Sequence, residues 1–202
     1  LCINSEELQL ESLLLAQQAG RRARLKEMGN ELQKLGIDGL IEYCAKLTCK
    51  SLSRSHVADF LVEKGIVKNR QKAFKTFLTK GGRIFVESNW CDMTEAIDAI
   101  HNAKGLSVLA HPTRYPLSKR KLTNLVSNFA IAGGDAIEVS YVNVDLHSQK
   151  HLTEIALAKS LHVSAGSDFH DNNAHWTDIG KYPTLEERAK KNAIWEHPKW
   201  HS

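Results

Sequence analysis

The chain has 202 residues, 42% of them hydrophobic and 25% charged, with 27 Lys or Arg against 23 Asp or Glu and a net charge of +4. That is the composition of an ordinary soluble globular protein, long enough for one large domain or two small ones. No apolar run approaches the ~20 residues a membrane-spanning helix requires. No signal peptide opens "LCINSEELQL", and Cys2, Cys44, Cys49 and Cys91 lack zinc-finger spacing, so they read as free thiols of a reducing cytoplasm. The chain starts on Leu1 where a methionine is expected, the mark of a fragment. The charge is uneven: residues 46–83 hold ten Lys or Arg and two acids, while the flanking segments are each mildly acidic. Such a block suits an anionic partner, nucleic acid or phosphate, and equally a solvated helical face.

Residues 1–83 read as a basic all-helical module. Leu25, Met28, Leu32 and Leu35 recur at spacings of three and four, one apolar stripe that Gly36 would close. Asp38 is a cap for the next helix, with Leu40, Ile41, Cys44 and Leu47 turned inward. Ser53 caps "RSHVADFLVEKG", and Asn69 caps a fourth helix that buries Ala73, Phe74, Phe77 and Leu78. The last two helices have the outline of a helix-turn-helix, an outline that most short helix pairs share.

From residue 84 to 202 the pattern changes. The helix "MTEAIDAIHNAKG" precedes the strand "LSVLAHP", "KRKLTNLVSNFAIAGG" precedes "DAIEVSY", and "SQKHLTEIALAKSLH" precedes "VSAGSDFH". Alternation of this kind predicts parallel strands joined by crossover helices. Each strand ends in chemically capable residues: His111, Glu138, then Asp168 and His170. Active sites of parallel α/β folds form at the carboxyl ends of strands. Taken singly, His111 reads as a strand-ending histidine satisfied by backbone, and Asp168 with His170 as caps of a turn in "FHDNNAH". Together, His111, Asp168 and His170 give the imidazole and carboxylate donors that suit Zn, Mn or Fe. Glu138 stands behind them, because an unpaired carboxylate in an apolar strand is costly unless it faces a polar interior or an Arg.

"LSVLAHPTRYPLS", "GGDAIEVSY" and "SAGSDFH" resemble the later motifs of the polymerase-and-histidinol-phosphatase (PHP) family. "LAQQAGRRARL" and "LSRSHVADFLVEKG" resemble its bacterial branch of ribonuclease AM and 3′,5′-nucleoside bisphosphate phosphatases. The resemblance implies the C-terminal part of a distorted (β/α)7 barrel plus the helical insertion. It implies up to three divalent ions, commonly manganese, and hydrolysis of 3′,5′-bisphosphonucleotides and short RNA 5′ ends. His111 matches the histidine of the "AHP" motif, and Asp168 and His170 match the final Asp-any-His. The family's earlier His-any-His and acidic motifs have no counterpart here, so a missing N-terminal segment of the same protein would supply them, and the fragment alone should be inactive. Arg114, three residues after His111, is placed to grip a phosphate. Arg21, Arg22, Arg24, Arg54 and His56 are expected to hold a second phosphate or the RNA backbone. The rival readings are another phosphatase on this scaffold, such as one for histidinol phosphate, and a non-catalytic nucleic-acid-binding module. The oligomeric state leaves no trace in the sequence.

Overall fold

The computed structural model describes residues 1–49, 51–170 and 177–201. The turn read into "FHDNNAH" falls mostly on residues outside that set. Two compact units result: residues 11–91, and residues 1–10 together with 92–202. Residues 84–91 therefore group with the helices.

The helical unit starts with α1 (Leu8–Lys34), which turns Leu25, Met28 and Leu32 inward. Leu35, expected on the same stripe, lies past the helix end and is 37% exposed. Gly36 takes φ +74° and the Ile37 N–H returns to the Leu32 carbonyl at 3.0 Å, closing the helix with a left-handed residue. Helix α2 (Leu40–Ala45) is capped by Gly39 rather than Asp38. The backbone turns at φ +99° on Gly39, which puts Asp38 one position too early. A helix of six residues buries only the Leu40–Cys44 edge, so Ile41 is 45% exposed.

Helix α3 (Arg54–Glu63) begins as expected at Ser53. The Ser53 hydroxyl accepts from the Ser55 N–H, and the Ser53 N–H donates to His56 Nδ1 at 3.0 Å, a capping box with histidine in the usual Glu place. Asn69 caps α4 (Arg70–Ala73), which runs on through a π-turn over Phe74–Leu78. Met28, Leu32, Phe60, Leu61, Leu78 and Ile84 are the buried centre of this unit.

The second unit alternates as the sequence predicts: α5 (Met93–Asn102), β1 (Val108–Leu109), α6 (Lys119–Ile131), β2 (Ala136–Tyr141), α7 (Leu146–Ala158) and β3 (His162–Gly166). The strands are parallel in the order β1-β2-β3, with Val108 opposite Ala136 and Ala136 opposite His162. Strand β1 is short because His111 turns left-handed (φ 32°) and Pro112 opens a single 3-10 turn, Pro112–Arg114. Strand β2 carries a bulge: Glu138 faces Ser164 but Ser140 already faces Ala165. Bulges re-aim side chains and recur beside functional sites. Among the described residues, no helix is long and apolar enough to cross a membrane.

At the amino ends of the strands, Asp135 gathers the sheet. It accepts from the Ser107 N–H and hydroxyl, both at 2.7 Å, and pairs with His101 Nε2 at 2.8 Å. Burial alone would raise its pKa; the hydrogen bonds from His101 and Ser107 outweigh burial and hold it below the ordinary value. A carboxylate depressed on folding stabilises fully above its unfolded pKa of about 3.9 and loses that contribution as pH falls through the folded value. Stability measured by urea unfolding should therefore drop between about pH 4 and lower pH, and Asp135→Asn should flatten that drop.

Candidate functional site

The carboxyl edge of the sheet brings four of the strand-end residues into one network. The His111 N–H donates to Glu138 Oε2 at 2.7 Å. The guanidinium of Arg114 pairs with the Asp168 carboxylate through Nη1, and its Nη2 reaches the Val142 carbonyl at 3.4 Å. Arg114 also lies over the Tyr141 ring, 5.7 Å from its centroid. The Thr113 N–H donates to the Tyr141 hydroxyl at 3.1 Å, so Tyr141 anchors the turn that carries Arg114. Glu138 sits inside the fold, and burial, with Asp168 adding to it, raises its pKa despite the His111 N–H and the Arg114 charge. His111 and Asp168 both adopt positive φ, 32° and 49°. Such conformations are unfavourable for residues with a side chain and concentrate at functional sites.

The donor chemistry fits a divalent metal. Among the described residues, His111 Nδ1 is buried without a hydrogen-bond partner, a cost that a metal or ligand would remove. His170 Nδ1 donates to the Asp168 carbonyl at 2.8 Å; that bond fixes the tautomer and leaves Nε2 as the lone-pair nitrogen, the pattern of a metal-ligating histidine. The His170 side chain is 78% exposed and its Nδ1 also lies 3.4 Å from Asp168 Oδ1. Among the described residues, no three His, Cys, Asp or Glu side chains are grouped to cage an ion. The described residues thus present separate donor groups and not a finished cage, and Arg114 holds the Asp168 carboxylate.

A second cluster occupies the helical unit. Arg21, Arg24 and Arg54 line a cavity of about 260 Å³ with Ser53, Phe74 and Trp90. Among the described residues, no acid pairs with these guanidiniums, and each is anchored in another way. Arg21 stacks on Trp90 at 4.6 Å, Arg24 Nε donates to the Val86 carbonyl at 2.9 Å, and Arg54 Nη1 donates to the Leu78 carbonyl at 3.4 Å. Burial, then the charges of Arg54 and Arg21, lower the Arg24 pKa; the group stays charged. Arg22, expected to join them, is exposed on α1 and does not line the cavity. His56 serves the α3 cap instead, with Nε2 3.5 Å from Cys49 Sγ. Trp90 gave no signal in the sequence, since it belongs to no basic or ligand-like motif, and Phe74 was expected only as a buried residue of the fourth helix.

A parallel sheet that gathers imidazole, carboxylate and guanidinium groups at its carboxyl edge has the layout of an α/β enzyme site. No protein-family model matches the sequence. The chain is 36% identical over 187 residues to the 5′-3′ exoribonuclease Rnm of Escherichia coli (strain K12), covering 91% of this chain and 64% of that protein. It is 33% identical over 165 residues to the 3′,5′-nucleoside bisphosphate phosphatase of Chromobacterium violaceum, covering 80% of this chain and 57% of that protein. A solved amidohydrolase from Chromobacterium violaceum, with bound sulfate and no metal, superposes with a TM-score of 0.84 at 31% identity, over 96% of this chain and 67% of that one. The chain belongs to the PHP family of phosphoesterases. It spans about three fifths of the length of the curated relatives it matches.

Proposed function

We propose that the protein carrying this chain is a metal-dependent phosphoesterase acting on 3′,5′-bisphosphonucleotides and the 5′ ends of short RNA. The observation that carries this reading is the Arg114–Asp168 pair beside His111 at the sheet edge: a phosphate-binding cation and a metal-binding anion share one spot. The similarity to an exoribonuclease and a bisphosphate phosphatase supports the substrate class.

His111, Asp168 and His170 are the ligands this chain offers, with the rest of the cluster drawn from residues outside it. These residues would hold a divalent ion, manganese by preference and zinc or iron as alternatives, which would supply a nucleophile near neutral pH and positive charge at the phosphate. Arg114 exchanges Asp168 for phosphate oxygens, because its planar fork fits carboxylate and phosphate alike. The turn held by Tyr141 limits where that fork can go, so the phosphate is oriented as well as bound. In the helical unit, Arg21, Arg24 and Arg54 take a phosphate of the nucleotide or the RNA backbone.

The test is hydrolysis by the full-length protein. Adenosine 3′,5′-bisphosphate should release phosphate with manganese and stop on chelation. Histidinol phosphate should react with a kcat/KM about tenfold or more lower, since it carries one phosphate where the bisphosphate carries two. Preference for histidinol phosphate would refute the substrate assignment. RNA binding that survives chelation and falls steeply with salt, with no hydrolysis under any divalent metal, would establish a binding module instead.

A further inference from the structure

We infer that Glu138 is a positioning residue that holds His111 in its strained conformation, and that Gly166 is glycine to make room for it. Three costs coincide at this point in the fold. Glu138 is a half-buried carboxylate between Ile137 and Val139, both fully buried, and such burial is unfavourable unless the carboxylate is used. His111 adopts φ 32° and ψ 56°, a left-handed conformation that few residues with a side chain occupy. Gly166, on the neighbouring strand, has no β-carbon; one placed there would lie 2.9 Å from Glu138 Oε1.

One contact links the three. Glu138 Oε2 accepts the His111 N–H at 2.7 Å, a charge-assisted bond that is stronger than a neutral one. The bulge after Glu138 sits where the carboxylate must reach across to the end of β1. The left-handed turn at His111 is thereby held from the next strand, and the imidazole stays where its Nδ1 is buried with no partner among the described residues. Tyr115 and Tyr141 flank that ring edge-on, with centroids 6.0 and 6.4 Å away. Glu138 thus acts on the backbone of a ligand residue, while Asp168 and His170 offer their side chains. The consequence for metal binding rests on the reading of His111 as a ligand; the consequence for the His111 backbone does not.

The experiment uses Glu138→Ala, Glu138→Gln and Gly166→Ala with two readouts. Hydrogen exchange of the His111 amide reports the contact itself, and manganese affinity by titration reports its effect on the site. Gln keeps an oxygen that accepts the His111 N–H, so Glu138→Gln should retain both amide protection and most of the affinity. Glu138→Ala should lose the protection and about 10- to 100-fold in affinity, the usual cost of losing a group that orients a ligand. Gly166→Ala, which displaces the carboxylate without removing it, should also speed His111 exchange, and it carries the test if the Ala variant of Glu138 does not fold. An amide equally protected in Glu138→Ala or in Gly166→Ala overturns the proposal. Loss of metal in Glu138→Gln equal to that in Glu138→Ala, with the amide still protected, overturns it in favour of Glu138 as a ligand. If wild type binds no manganese yet the amide responds as stated, the positioning role stands and the metal reading fails.

Discussion

Asp168→Asn in the full-length protein is expected to abolish turnover on every phosphate ester. Asn preserves the shape and tolerates the φ of 49° at this position, so the loop should keep its path. What disappears is the negative charge that pairs with Arg114 and that a metal would take. Metal stabilisation of a phosphoryl transition state contributes several kcal/mol, so kcat should fall by about three powers of ten or more. Measuring kcat together with bound manganese checks this. Near-normal activity with full metal content would remove Asp168 from the site.

Two arginines should then separate along different lines. Arg114→Ala should lower hydrolysis strongly for both a 3′,5′-bisphosphate and p-nitrophenyl phosphate while leaving metal bound, because Arg114 sits at the sheet edge where the proposed function places the reacting ester. Arg54→Ala should weaken the bisphosphate or a short RNA and spare the minimal ester, because Arg54 lines the cavity of the helical unit. A charge-assisted bond of this kind contributes roughly 1.5–3 kcal/mol, about one to two powers of ten in kcat/KM. Equal losses on both substrates for Arg54→Ala would show that Arg54 is structural, for instance through its contacts with Leu78 and Phe74.

The order of elements in residues 92–166 was legible because the hydrophobic period switches between helix and strand three times, and because Ser53 and Asn69 are caps whose chemistry is local. Asp38 misled because capping depends on the backbone turn at Gly39, which residue type does not reveal. Helix α1 begins at Leu8, far before Leu25, since its first half leaves Leu8, Leu14 and Leu15 exposed and so draws no stripe. His111, Asp168 and His170 could be nominated from strand ends alone, and Arg114 followed once the resemblance implied a phosphate substrate. The Arg114–Asp168 pair spans 54 positions and could not. Glu138 looked like a liability because its use lies in a backbone N–H on another strand. The Arg21–Trp90 stack joins a helix to a segment without regular structure, and only the folded chain brings them together.

The arginine cavity also bears on how this protein can change. Three guanidiniums kept together with no carboxylate beside them among the described residues repel one another, and that repulsion is a standing loss of stability. Drift toward a more stable helical unit would place a Glu or a neutral residue among Arg21, Arg24 and Arg54, and each such step would neutralise the cavity. On the proposed function, stability and anion affinity are opposed at these three positions. Selection for thermal robustness alone would erase the cavity first and leave the apolar centre around Phe60 and Leu61 untouched.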